Sequence, residues 1–160
     1  MLRPGQPAPW FVAGSPTNPR FHFASLGGQY VLLGFLQQGE NLDSAALQAI
    51  RARRAVFRDD RVVAFAVVRR PDLIATAANE PGLRWFFDPE GEVSRKYFAL
   101  LEDGQEQPHW VLIDPSLRIL AVALMSETDR IMRVIEQLPP PDDHAGAPLH
   151  APVLIVPRVL

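Results

Sequence analysis

The chain has 160 residues, of which 48% are apolar and 21% charged, and its formal net charge is −2. That is ordinary composition for one domain with a full core, and the near-neutral charge excludes a sequence-independent grip on nucleic acid. There is no cysteine, which excludes disulfides, thiolate zinc sites and any thiol chemistry of the chain's own.

The opening residues, Met1-Leu2-Arg3-Pro4-Gly5-Gln6-Pro7, lack the apolar run of a signal peptide. No stretch approaches the roughly 18 consecutive apolar residues of a membrane span. The expectation is a soluble, cytoplasmic protein without a membrane partner. Among basic residues arginine almost wholly replaces lysine, Lys96 being the exception. With abundant Ala and Pro this suggests a GC-rich bacterial genome. Proline clusters at both ends, from Pro4 to Pro19 and from Pro139 to Pro157, so both ends should be extended and irregular.

In chain order, Phe21-His22-Phe23 is a short strand candidate and Gly27-Gly28 a turn. Tyr30–Leu36 is a continuous apolar run of strand length, as expected of a strand buried on both faces. After the polar residues Gln37–Glu40, Asn41 or Asp43 can cap a helix running from Leu42 to Phe57. Its residues Leu42, Ala46, Ala49, Ile50 and Phe57 follow the helical period. Val62–Val68 is a second buried strand. Pro71 suits the first position of a helix over Asp72–Asn79. Arg84–Phe87 is a short strand, Asp88-Pro89-Glu90-Gly91 a turn, and Val93–Leu101 a helix. Trp110–Ile113 is a strand ended by Asp114-Pro115, and Leu117–Met125 returns as its hairpin partner. Thr128–Leu138 is an amphipathic helix with Ile131, Val134, Ile135 and Leu138 inward.

Alternating strands and helices imply parallel pairing with right-handed crossovers, and the late hairpin adds antiparallel pairs. The expected class is α/β: a three-layer α/β/α sandwich with a mixed central sheet, occupying residues 1–138. Residues 139–160 read as a proline-rich linker or tail. Within it Val153-Leu-Ile-Val156 is a fresh apolar run, expected to be the first element of a further domain or a tail packed on this domain or a partner.

Several segments together resemble the peroxiredoxins of the AhpC/TSA type. Gly5-Gln6-Pro7-Ala8-Pro9-Trp10-Phe11 resembles their G-x-x-A-P-x-F opening, and Tyr30–Phe35 their first core strand. Phe87-Asp88-Pro89-Glu90-Gly91 with Tyr97 resembles their D-P-x-G-x-x-x-x-x-Y stretch, and Val111-Leu112-Ile113-Asp114-Pro115 their F-I-I-D-P strand and turn. The resemblance implies a thioredoxin-like fold over residues 5 to about 138.

The family's chemistry lies in P-x-x-x-T/S-x-x-C, where the thiolate in a helix's first turn is stabilised by the dipole and an Arg. Aligned from the strand, this chain has Gln37, Asn41 and Ser44 at those positions, and Pro108 where the Arg belongs. All four elements are lost, so the resemblance carries the fold and removes the activity: a pseudoenzyme with no catalytic residues. Pro108 also fits the cis-proline that thioredoxin-like folds place before the strand facing the active helix.

Ser44 as a nucleophile would need an adjacent base, and His22 and His109 are the core histidines available. His109 could also serve as a polar residue of the former cleft. His144, His150, Asp142 and Asp143 match no metal-ligand spacing, so no metal and no cofactor are expected. Arg51, Arg54 and Arg58 share a helix face, expected to be solvated or to dock an acidic partner. There is no phosphate-binding glycine loop and no basic–aromatic interleaving for nucleic acid.

Two functions follow. The first is a non-catalytic module for dimerisation or interaction, attached to a further catalytic domain. The sequence 149–160 resembles the opening of a 2-oxoglutarate/iron-dependent oxygenase, and peroxiredoxins imply a homodimer. The second is an enzyme or small-ligand binder that reuses the former cleft through Gln37, Asn41, Ser44 and His109.

Overall fold

The computed structural model describes residues 1–37 and 44–140. Its strands are β1 (Val12–Ala13), β2 (Phe21–His22), β3 (Tyr30–Phe35), β4 (Val62–Val68), β5 (Leu83–Phe87), β6 (His109–Ile113) and β7 (Ile119–Leu124). The helices are α1 (Ala45–Arg51), α2 (Pro71–Thr76), α3 (Glu92–Lys96) and α4 (Thr128–Glu136). β1 and β2 form a small antiparallel ribbon. The other five strands form one sheet in the order β5-β4-β3-β6-β7. β3 pairs parallel with β4, and β4 with β5; β6 runs antiparallel to β3 and β7 antiparallel to β6. The sheet is therefore mixed.

The apolar runs are continuous because both faces of this sheet are covered. Along β3, Tyr30 and Leu32 enter one cluster while Val31, Leu33 and Phe35 enter the other. In β4, Val62, Ala64, Ala66 and Val68 face one way and Val63, Phe65 and Val67 the other. The first face carries α1 through Leu47 and Ile50, and α4 through Ile131, Met132 and Ile135. The second carries α3 through Val93, joined by Tyr97, and the N-terminal segment through Phe11 and Phe23. Three layers result, as the alternation of elements predicts.

Three helices end earlier than their periodicity suggests. α1 stops at Arg51, after which successive turns carry the chain to Phe57. Phe57 is almost wholly buried and its backbone lies against Gly82. A Cβ on Gly82 would stand 1.9 Å from the Phe57 carbonyl oxygen, and Gly82 has φ +77°, so this close approach needs glycine. α2 ends at Thr76, short of Asn79. α3 ends at Lys96 rather than Leu101: Phe98 turns left-handed at φ 60°, and the Ala99 N–H returns to the Ser94 carbonyl at 2.8 Å. α4 closely matches its expectation, with Met132 buried in addition to Ile131 and Ile135.

Gly34 sits in β3 opposite Trp110 of β6. A Cβ there would meet the Trp110 ring at 2.7 Å. The indole occupies the space that a side chain would fill, and its N–H donates to Thr128 Oγ1 at 2.9 Å. Gly34→Ala should therefore force Trp110 off its position and destabilise the fold by about 1–3 kcal/mol, the cost of overpacking a closed core. A denaturant titration followed by tryptophan fluorescence reads this directly, and an unchanged midpoint would contradict it.

Candidate functional site

The carboxyl ends of β3, β4 and β5 and the start of β6 meet at one end of the sheet. The strand order reverses there between β3 and β6, the place where open α/β sheets put their ligands. The sequence-predicted residues distribute around this end as follows. Gln37 is exposed, two residues beyond β3. Ser44 is half-buried at the start of α1. Pro108 precedes β6, and His109 is its first residue. Asn41 lies outside the described residues, as do Asp43, His144, His150 and the segment 141–160.

Ser44, rather than Asn41 or Asp43, is the N-cap of the described helix. Its Oγ accepts a hydrogen bond from the Leu47 N–H at 3.4 Å. Among the described residues no hydrogen bond joins Ser44 to His109. A serine hydroxyl without a base is not a nucleophile at neutral pH, so the geometry assigns Ser44 a capping role.

His109 is buried and stacks on Phe35, its partner across β3, with ring centroids 5.3 Å apart. Phe35 stacks in turn on Tyr97, also at 5.3 Å. The three rings form a column under the end of the sheet. His109 Nδ1 lies 2.7 Å from the Gln107 carbonyl oxygen, so the neutral ring carries its proton on Nδ1 and donates it there. Burial pushes the imidazole below its ordinary value of 6.5, while hydrogen bonding to the Gln107 and Tyr97 backbones pulls the other way. Tyr97 donates its hydroxyl to the Pro9 carbonyl at 2.6 Å, and burial raises its pKa far above the usual value.

Two sequence expectations need correction. His22 is not a core histidine: it is exposed on the β1–β2 ribbon, since the ribbon lies outside the main sheet and turns Phe21 rather than His22 toward the core. The Gln107–Pro108 bond is not cis; every described peptide bond is trans. The trans form suits the local bonding, in which the Gln107 N–H donates to Ala99 at 2.9 Å and the Pro108 carbonyl accepts from the Met125 N–H at 3.3 Å. Trans is also the lower-energy form by about 0.5–1 kcal/mol.

The sequence reading missed Arg69 and Glu106, which pair at 3.3 Å with side chains only 16% and 25% exposed. One ends the apolar run of β4 and the other precedes β6, so the same end of the sheet unites them. The available signal was a charge immediately following a buried strand.

The arginine-rich stretch after Ser44 is already paired. Arg51 Nη2 lies 2.7 Å from Glu80 and Arg54 Nη2 3.1 Å from its other oxygen. Arg58 pairs with Asp60 at 3.0 Å. The Arg51 hydrogen bond, then burial working against it, and then the Arg54 contact leave the Glu80 carboxyl below its ordinary range. The surface is an ion-paired one rather than an open basic patch. No group of three or more His, Asp or Glu side chains among the described residues could hold a metal ion. No described helix is long and apolar enough to cross a membrane.

No protein-family model matches the sequence. No curated protein matches it. Solved structures do resemble the chain. Plasmodium yoelii thioredoxin peroxidase I is 20% identical with TM-score 0.65, the match covering 91% of this chain and 95% of that one. Mycobacterium tuberculosis AhpC is 15% identical with TM-score 0.66, over 85% and 92%. The exposed lipoprotein thioredoxin of Streptococcus pneumoniae is 17% identical with TM-score 0.60, over 81% and 100%. These likenesses are to thioredoxin-fold redoxins and show the fold.

The buried His109 gives a prediction with a definite sign. Its folded pKa is depressed, so below pH 6.5 the unfolded chain binds the proton more readily and stability falls as pH falls. His109→Gln, which keeps a donor toward Gln107, should lose less stability than the parent between pH 7.5 and pH 5.5. Denaturant midpoints at the two pH values test this, and parallel losses would show that His109 is not the group responsible.

Proposed function

We propose that this cysteine-free, thioredoxin-fold chain is a non-catalytic interaction module, working through its surfaces rather than by turnover at the end of its sheet. The observation that carries this reading is the state of Ser44. Its hydroxyl caps α1 where a thiolate would be needed, with no base bonded to it among the described residues and Pro108 where a cation would be. Homodimerisation is part of the proposal, through the surfaces flanking Gln37 and Ser44, as are a bacterial and cytoplasmic setting. Attachment to a 2-oxoglutarate/iron-dependent oxygenase domain rests on the sequence of residues 149–160 alone.

A small-ligand binder reusing the cleft draws support from exposed Gln37 and half-buried Ser44. It has less behind it, because His109 is covered by Phe35 and its Nδ1–H is engaged by Gln107.

The purified protein should consume no hydrogen peroxide with any thiol reductant, and sedimentation velocity should give twice the monomer mass of 17.8 kDa. Saturable peroxide consumption would refute the non-catalytic reading, and a concentration-independent monomer would remove the dimer. Ser44→Cys provides a second check. With Pro108 in place of the family's Arg, and only the start of the short helix α1 to favour the anion, its thiol should titrate between about 7 and the free value of about 8.5, with no rapid reaction toward peroxide. As the only thiol in the chain it can be followed unambiguously by alkylation against pH. A thiol pKa well below 7 would reveal a site still built for thiolate chemistry.

A further inference from the structure

Charge is unevenly shared over this protein. Arg51, Arg53, Arg54 and Arg58 are matched by Glu80, Glu136 and Asp60. No acidic residue precedes Glu40, so the N-terminal segment carries arginine without a carboxylate of its own. Arg20 and Lys96 are exposed, and neither forms an ion pair among the described residues.

Both of these cations border the β1–β2 ribbon. Its register pairs Ala13 with Phe21 and Val12 with His22. Ala13 and Phe21 turn toward the core, so Val12 and His22 turn outward, and both are exposed. The alternation continues to Trp10, two residues before Val12, and to Arg20, two before His22. Trp10 is 64% and Val12 42% exposed, while Phe11 between them is buried. At the end of α3, Lys96 donates to the Trp10 carbonyl at 3.0 Å. An ammonium has three donors, so two remain for another acceptor. Glu92, one turn back on α3, does not pair with it. Extending the register sets Arg20 across from Gly14, at the far end of the strip from Trp10. The outward face is therefore an apolar strip with a cation at each end.

Tryptophan elsewhere in the chain is a core residue, Trp85 and Trp110 being 1% exposed. An exposed indole beside cations has the character of an interface anchor. The charges select the occupant. A second copy docked about a twofold axis would set this patch against itself, cations against cations. An anionic membrane would meet two cations on a chain of net charge −2, too few for firm surface attraction. An acidic protein segment bearing an apolar side chain complements both features.

We propose that the outward face of the β1–β2 ribbon docks an acidic segment of a partner protein, an apolar side chain resting on Trp10 and Val12 and carboxylates pairing with Lys96 and Arg20. The ribbon covers the sheet face opposite α1. This partner gives the interaction module a second surface and rests on that reading. Peroxide consumption tests the reading at Ser44, whereas Trp10 reports only the ribbon, so the two can fail separately.

The test uses the full chain and the synthetic peptide acetyl-Glu-Leu-Glu-Phe-Glu-Leu-amide, with a control in which glutamine replaces each glutamate. Of the three tryptophans only Trp10 is exposed, so acrylamide quenching of the fluorescence reads it selectively. The glutamate peptide should protect Trp10 saturably, and at least about fivefold more tightly than the glutamine peptide. Arg20→Glu, and Lys96→Gln (which keeps a donor toward the Trp10 carbonyl), should each weaken the glutamate peptide and leave the glutamine peptide unchanged. Equal affinity for the two peptides, or no protection at millimolar glutamate peptide, would overturn the proposal. Protection by vesicles of phosphatidylserine and phosphatidylcholine, or protection that grows with protein concentration alone, would do so as well. Those results would identify a membrane or a second copy as the occupant.

Discussion

The Trp110 indole ties the sheet to its helical layer. It lies over the vacant face of Gly34 in the neighbouring strand, and its N–H is held by Thr128 at the start of α4. Thr128 in turn donates to the Met125 carbonyl at 2.6 Å. One side chain thus fixes the spacing of β3 and β6 and the point where the last helix begins. Close packing makes such an arrangement all-or-none: the ring fits only if its neighbour has no side chain. β3 and β6 are also the two strands between which the order reverses, so the same contact sets the geometry of the candidate site.

On the opposite face, the stacked rings of Tyr97, Phe35 and His109 fill the space beneath that end of the sheet. An imidazole in this position is shielded from water, engaged through Nδ1 and disfavoured as a cation. These are the properties of a packing histidine. At the start of α1, which packs on the other face, the Ser44 hydroxyl accepts from the Leu47 N–H and completes the helix start. At this end of the sheet both His109 and Ser44 are engaged in packing or in completing a helix start.

The charges follow the same logic. Arginines that the sequence gathers into one run are dispersed among Glu80, Asp60 and Glu136, each from a different part of the chain. Exposed pairs of this kind contribute little, about 0–1 kcal/mol each. Their consequence is at the surface: guanidiniums already occupied by carboxylates present no strong field to a partner. Arg69 and Glu106 are more enclosed and lock the end of β4 to the approach to β6.

The sequence by itself determined the central sheet and its three layers, because uninterrupted apolar runs such as Tyr30–Phe35 and Val62–Val68 have no other stable place than a strand covered on both faces. It also determined that the chain carries no thiol. Helix ends escaped it: the periodicity through Phe57 and toward Leu101 continues past the points where Gly82 and the left-handed turn at Phe98 redirect the backbone. Equally out of reach were the burial of His109 against the exposure of His22, and the partners of the arginines. The Arg58–Asp60 pair aside, those outcomes depend on contacts between residues far apart in the chain, which local pattern does not encode and only the packed tertiary structure decides.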